Sequence, residues 1–184
     1  MDQRGIFRFL IEQIAAGQRC VLVTVLAVEG SAMRNPGAHM AVCEDGSFVG
    51  SLSGGCIENA VVAEACEALK AGAARIVRFG AGSPYVDIRL PCGGGLDIHF
   101  QPLADGQLAQ DCLAAIMARR PYTVAIGPHG AACQAGWHSA PFDPATGSAR
   151  FGHFPQARLM LMDYFTMAAE HLRNDQSMRF TGSA

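Results

Sequence analysis

The sequence predicts an α/β fold: a mixed, largely buried sheet covered by helices. Three observations carry this. Residues 20–28, Cys-Val-Leu-Val-Thr-Val-Leu-Ala-Val, form an unbroken apolar run rich in β-branched residues. Such a run reads as a strand buried on both faces, which requires other layers above and below it. Segments with helical spacing of apolar residues lie on either side of it, at 4–16 and 56–71. Glycine is enriched, with 21 residues in 184, and clusters at 50–55, 80–82 and 93–95. Clustered glycines mark loops that turn tightly or approach something closely.

Taken in order, residues 4–16 read as an amphipathic helix, with Ile6, Leu10 and Ile14 repeating every four residues and Gly17 as its cap. The 20–28 strand runs into a loop from Glu29 to Gly37, punctuated by Asn35-Pro36-Gly37. Residues 38–43 and 47–50 read as short strands joined by a turn at Glu44-Asp45-Gly46. The second leads into Gly50-Ser-Leu-Ser-Gly-Gly-Cys-Ile-Glu58, the densest functional stretch of the chain. A helix follows from Cys56 to Ala71, with Ser53 as candidate N-cap. Strands are expected at 75–79, 85–90 and 96–101, with a glycine loop at 91–95. A helix from Leu108 to Arg119 and a strand at 122–126 come next. Residues 127–154 have weak periodicity, with a hairpin expected near Gly147. A strand at 158–162 and a helix at 164–173 complete the reading. Two regions are expected: a binding domain over 1–106, and a C-terminal region over 107–184 that completes it.

Composition narrows the function. The chain is 50% hydrophobic and 16% charged, with a net charge of −2. That balance supports a sizeable core and offers no electrostatic footprint for nucleic acid or membrane. No apolar run reaches transmembrane length, and the N-terminus does not read as a secretory signal. A cytoplasmic location is the expectation. The seven cysteines are an odd number without Cys-x-x-Cys spacing, which argues against both a disulfide framework and a zinc knuckle.

The candidate site residues lie in the glycine loops. Ser53, Gly54 and Gly55 stand before a helix, where free N–H groups and the helix dipole suit a phosphate. The pattern is neither a Walker loop nor Gly-x-Gly-x-x-Gly. Gly80-Ala81-Gly82 leads into another strand, which excludes a dinucleotide site there. Cys56, in the expected first helical turn, has thiolate character suited to a nucleophile, a soft metal ligand or a sulfur carrier. Cys92, in Pro-Cys-Gly-Gly-Gly, shares that chemistry. Glu58 and Glu29 are candidate acceptors of ligand N–H groups, and Arg34 is a candidate partner for phosphate. Each also has a structural reading: Cys56 packed beneath its loop, Cys92 in a turn, Glu58 placed for the dipole, Glu29 and Arg34 solvated. Spacing alone leaves both readings open.

Three motifs in order, Glu29-Gly-Ser-Ala-Met-Arg-Asn-Pro-Gly-Ala38, Asp45-Gly-Ser-Phe-Val-Gly-Ser-Leu-Ser-Gly-Gly-Cys-Ile-Glu58 and Cys92-Gly-Gly-Gly95, resemble the XdhC/CoxI family of accessory proteins for xanthine dehydrogenase and related molybdenum hydroxylases. The resemblance covers about residues 5–103. It implies a chaperone that binds the molybdenum cofactor (molybdopterin), protects it, presents it to a cysteine desulfurase and delivers it to the apo molybdenum hydroxylase, as a homodimer. On that implication the cofactor-binding set is Glu29, Ser31, Arg34, Ser53, Gly54, Gly55, Cys56, Glu58, Cys92, Gly93 and Gly94, with Cys56 and Cys92 toward the metal. Two rivals stay open: a sulfur-relay or redox enzyme working through Cys56 or Cys92, and a non-catalytic interaction module. The chain departs from the family in two places. Met33 stands where a proline is expected before the arginine. Family members often carry a second, Rossmann-like domain; Arg158–Met162 resembles its first strand, but no glycine loop follows. The chain therefore reads either as a short member of the family or as one whose second domain is lost or truncated, its C-terminal extension then being a truncated Rossmann-like element.

Overall fold

In the computed structural model, the described residues are 3–83 and 93–154. The strand expected at 85–90, Cys92, and the strand and helix expected after 157 lie outside them. The elements are α1 (Gln3–Ala15), β1 (Cys20–Glu29), β2 (His39–Cys43), β3 (Phe48–Gly50), α2 (Glu58–Ala71), β4 (Arg75–Gly80), β5 (Gly95–Pro102), α3 (Gln107–Met117), β6 (Tyr122–Gly127), β7 (Gly130–Ala135), β8 (Ala140–Asp143) and β9 (Ser148–His153). No helix among the described residues is long and apolar enough to cross a membrane.

The α/β class holds, built on two sheets. One has five strands in the order β3-β2-β1-β5-β4; the other has four, in the order β7-β6-β9-β8. Every pairing among the described strands is antiparallel. The weakly periodic stretch 127–154 supplies three strands of the second sheet. Its turn near Gly147 joins β8 to β9, where the Gly147 N–H donates to the Asp143 carbonyl at 2.8 Å.

Strand β1 is central, and its side chains alternate between two cores. Val21, Val23 and Val25 meet Val61, Ala65 and Ala68 of α2, with Ile98 and Phe100 of β5. Cys20, Leu22 and Leu26 join Phe7 and Leu10 of α1, Cys112 and Ile116 of α3, and Tyr122 and Phe151 of the second sheet. That second core draws on residues from both sides of position 106. Its contacts between α1 and the second sheet include an edge-on packing of Phe7 and Tyr122, centroids 6.3 Å apart.

A polar chain crosses this layer. Thr24 Oγ1 lies 2.9 Å from His39 Nδ1, and His39 Nε2 lies 3.3 Å from His153 Nε2. The Gln3 amide reaches His153 Nδ1 at 2.8 Å and accepts from the Tyr122 hydroxyl. Burial, with His153 and Arg34 nearby, pushes the His39 pKa well below its ordinary value. Burial also lowers His153 and His99, each to about 4. The sequence marks His39 and His99 as structural strand residues, and both are buried, in β2 and β5.

Candidate functional site

The stretch from Gly50 to Glu58 wraps around one carboxylate. Glu58 is the first residue of α2, two positions later than its expected start. Its side chain turns back under the loop, and the residue is only 6% exposed. Oε1 accepts from Ser51 Oγ at 2.7 Å, Leu52 N at 3.0 Å and Ser53 N at 2.9 Å. Oε2 accepts from Ser53 Oγ at 2.7 Å, Gly55 N at 2.9 Å and Ile57 N at 3.2 Å. The remaining amides are also satisfied: Gly54 N donates to Ser51 Oγ at 3.0 Å, and Cys56 N to Ser53 Oγ at 3.0 Å. Successive positive φ angles at Gly54 (+80°) and Gly55 (+113°) curl the loop tightly enough for this, a conformation that side-chain-bearing residues rarely adopt.

The loop is therefore an anion-binding nest, and the anion it binds is the chain's own. The amides expected to hold a phosphate all have acceptors within the chain. Burial alone would raise the Glu58 pKa. Hydrogen bonds from the Ser53 hydroxyl and amide, the Ser51 hydroxyl and the Leu52 amide outweigh it and hold the group down at about 2. Ser53 is buried; its hydroxyl caps the turn ahead of α2 by accepting from Cys56 N and from Ile57 N, the latter at 3.1 Å. With its side chains tied inward, the loop leaves Gly54, Gly55 and the Cys56 thiol at the surface.

The other two loops lie at the same end of the first sheet. Antiparallel register sets Glu29, Gly95 and Gly80 in one row across β1, β5 and β4. A bulge between Val25 and Ala27 reorients the last residues of β1 toward that row. Gly94 is buried against the Glu29–Ser31 backbone. A Cβ there would lie 2.7 Å from the Glu29 carbonyl oxygen and closer still to that of Ser31. Gly94→Ala is thus expected to cost about 1–3 kcal/mol by overpacking, read as a lower urea midpoint. Gly93 is exposed beside it. Met33, 74% exposed, lays its sulfur against Gly54, where an added Cβ would stand 2.8 Å away. The Met33 that departs from the family pattern thus joins the first loop to the second.

The charges divide into committed and open. Glu29 pairs with the Arg78 guanidinium, which also reaches Asp97 at 3.0 Å and the Ala81 carbonyl at 2.9 Å. Both carboxylates offered as N–H acceptors, Glu29 and Glu58, are engaged within the chain. Arg34 is half-buried and forms no ion pair with another described residue. Ser31 is exposed. Among the described residues no three His, Cys, Asp or Glu side chains converge on a metal position. Cys56 is accordingly a single soft donor there, and Cys92 lies outside the described residues. Arg78 is a residue that sequence reasoning misses. Its signal is a second arginine in a short strand, two residues before a glycine, but its partners on β1 and β5 are remote in the chain.

Residues 13–80 match the model of the XdhC and CoxI family. The chain is 41% identical over 127 residues to the molybdenum cofactor insertion chaperone PaoD of Escherichia coli K12, covering 69% of this chain and 40% of that one. It is 41% identical over 58 residues to a probable xanthine dehydrogenase subunit of Bacillus subtilis 168, covering 31% of this chain and 18% of the relative. A crystal structure of a xanthine dehydrogenase from Bacillus halodurans superposes with a TM-score of 0.61 at 23% identity, over 84% of this chain and 53% of that one, a likeness of fold. The chain thus spans about two fifths or less of the length of these sequence relatives. The matched residues 13–80 contain the first two loops and the carboxylate they enclose, and this match together with the identity to the insertion chaperone supports the XdhC and CoxI family for this chain.

Proposed function

We propose that this chain is a molybdenum cofactor chaperone domain, which holds molybdopterin as cargo at the loop cluster and passes it to an apo molybdenum hydroxylase of the xanthine dehydrogenase type. The family match and the chaperone named among its relatives support the reading. The observation that carries it is the exposed Cys56 thiol on a loop whose amides are all satisfied internally. A soft thiol on a preorganised loop suits a molybdenum centre. Arg34, next to the Met33 that touches Gly54, suits the cargo's phosphate through its planar fork. Glu58 acts from beneath by shaping the loop, while Ser31, Gly54, Gly55, Gly93 and Gly94 form its walls. Cys92 is proposed as the second thiol of the set. On the same reading the protein works in the cytoplasm as a homodimer, with a cysteine desulfurase as a further partner.

The test is purification from cells supplied with the cofactor, followed by assays of bound molybdenum and pterin. Stoichiometric recovery of both is expected. No binding by the wild type, under conditions where a known carrier binds, overturns the reading. Cys56→Ala and Arg34→Ala are each expected to weaken retention about tenfold or more, equivalent to about 1.4 kcal/mol. The urea midpoint of Cys56→Ala is expected to stay unchanged, because the side chain is exposed.

The same exposure favours a second reading, a sulfur relay through Cys56. Its mark is a persulfide on that thiol, detected by mass spectrometry after incubation with a sulfur donor.

A further inference from the structure

Two cysteines that lie away from the loop cluster, Cys20 and Cys43, face each other directly across β1 and β2. Their backbone groups point away from one another: Leu103 N donates to the Cys20 carbonyl, and Cys43 N donates to the Ser47 carbonyl. That makes the pair a non-hydrogen-bonded position of an antiparallel ladder, where Cα atoms stand about 4.5 Å apart. This separation falls within the range that a disulfide spans without backbone movement, about 4.4–6.8 Å. Both side chains lie on the same face of the sheet, and their sulfurs are 2.9 Å apart. The pair sits one residue inside an exposed closure of the sheet, where Arg19 and Glu44 form a 2.8 Å ion pair.

We propose that Cys20 and Cys43 are a resident dithiol that a hydroperoxide closes to a cross-strand disulfide, a modification site separate from the loop cluster. The step balances in two stages. The Cys43 thiolate attacks the peroxide, forming a sulfenic acid and releasing water or an alcohol. The Cys20 thiol then displaces the sulfenic hydroxyl as water, forming the S–S bond. Two thiols are oxidised by two electrons, and the peroxide O–O bond is reduced. Burial raises the pKa of both thiols. At Cys43 a hydrogen bond with Ser47 partly offsets that rise. Cys20 is raised more strongly and is the thiol left for the second, resolving stage. The bond ties together the strand that ends at Glu29 and the hairpin that leads into Gly50. It therefore staples the supports of two of the three loops.

The experiment uses the full chain. Reduced protein is exposed to hydrogen peroxide, quenched, unfolded in iodoacetamide and mapped by mass spectrometry. A peptide pair linked through Cys20 and Cys43 is expected, reversed by dithiothreitol. The oxidised form is expected to melt roughly 5–15 °C higher than the reduced form. Cys56 is exposed and reports that the oxidant acted. If Cys56 is oxidised while Cys20 and Cys43 are both recovered alkylated, the proposal fails. It also fails if the link forms only in unfolded protein. Cys20→Ala and Cys43→Ala each abolish the link and the rise in melting temperature; persistence of that rise in either variant overturns the assignment.

Discussion

Glu58→Ala is expected to destabilise the protein by roughly 3–5 kcal/mol, because several buried donors lose their acceptor at once, at about 1–3 kcal/mol for each one left unsatisfied. The two carboxylate oxygens take six hydrogen bonds from the 51–57 segment. Removing them leaves the amides of Leu52, Ser53 and Gly55 without acceptors in a buried or half-buried turn, where each unsatisfied group carries a desolvation cost. Glu58→Gln does not restore the site. Its amide oxygen replaces one carboxylate oxygen, but its NH2 group meets the Gly55 and Ile57 N–H groups, donor against donor. Urea unfolding measures the loss, and hydrogen exchange localises it: amides 52–57 are expected to lose protection before those of β1. An unchanged midpoint, with those amides still protected, would show that the nest is not held by this carboxylate. The Cys56 thiol gives an independent readout, since its alkylation rate is expected to change as the loop loses its single conformation.

Acidification is expected to unfold the chain in two stages. His39, His99 and His153 all have pKa values lowered by burial, so the folded state excludes their protons while the unfolded chain binds them near pH 6.5. Stability from these groups is fully present above that value and falls with pH until about pH 4, where folded His99 and His153 accept protons themselves. A depression of this size is worth roughly 3 kcal/mol per histidine as an upper bound, against a total stability of about 5–15 kcal/mol for a typical domain. Glu58 acts in the lower window: its contribution is present above pH 4.5 and disappears as pH falls toward 2. The urea midpoint is expected to drop by about 1 M or more between roughly pH 7 and pH 5. A flat profile over that interval overturns the assignment. His99, whose Nδ1 has no hydrogen-bond partner among the described residues, is the simplest member to isolate. His99→Gln is expected to flatten the slope without touching the His39–His153 pair.

Much of the fold is legible from residues alone. The unbroken apolar run at 20–28 predicts a strand with cores on both faces, because neighbouring side chains point to opposite sides. It is β1, with α2 on one side and α1, α3 and the second sheet on the other. The expected start of α2 falls two residues early. Helical periodicity reads apolar spacing and is blind to a carboxylate that pulls its preceding turn inward. Of the second sheet, the sequence predicts β6 and a hairpin near Gly147, whereas β7 escapes it because that strand is half exposed and built of small residues, so alternation there is weak.

In the candidate site, residue types alone mark which stretches must approach closely. Gly54, Gly55 and Gly94 stand where a side chain would be strained or would collide, and composition marks such places. The sequence sets Cys56 in the first turn of the helix that follows one of those loops; the helix starts at Glu58, which leaves Cys56 on the loop itself. What the loops bind within the chain is set by the folded arrangement. Whether an amide stays open for a ligand depends on which acceptor reaches it, and that reach runs backward from a helix that has to form first. The opposed thiols of Cys20 and Cys43 and the meeting of His39 with His153 are of the same kind. Each is set by strand register or sheet packing between residues remote in sequence, and local spacing carries no record of it.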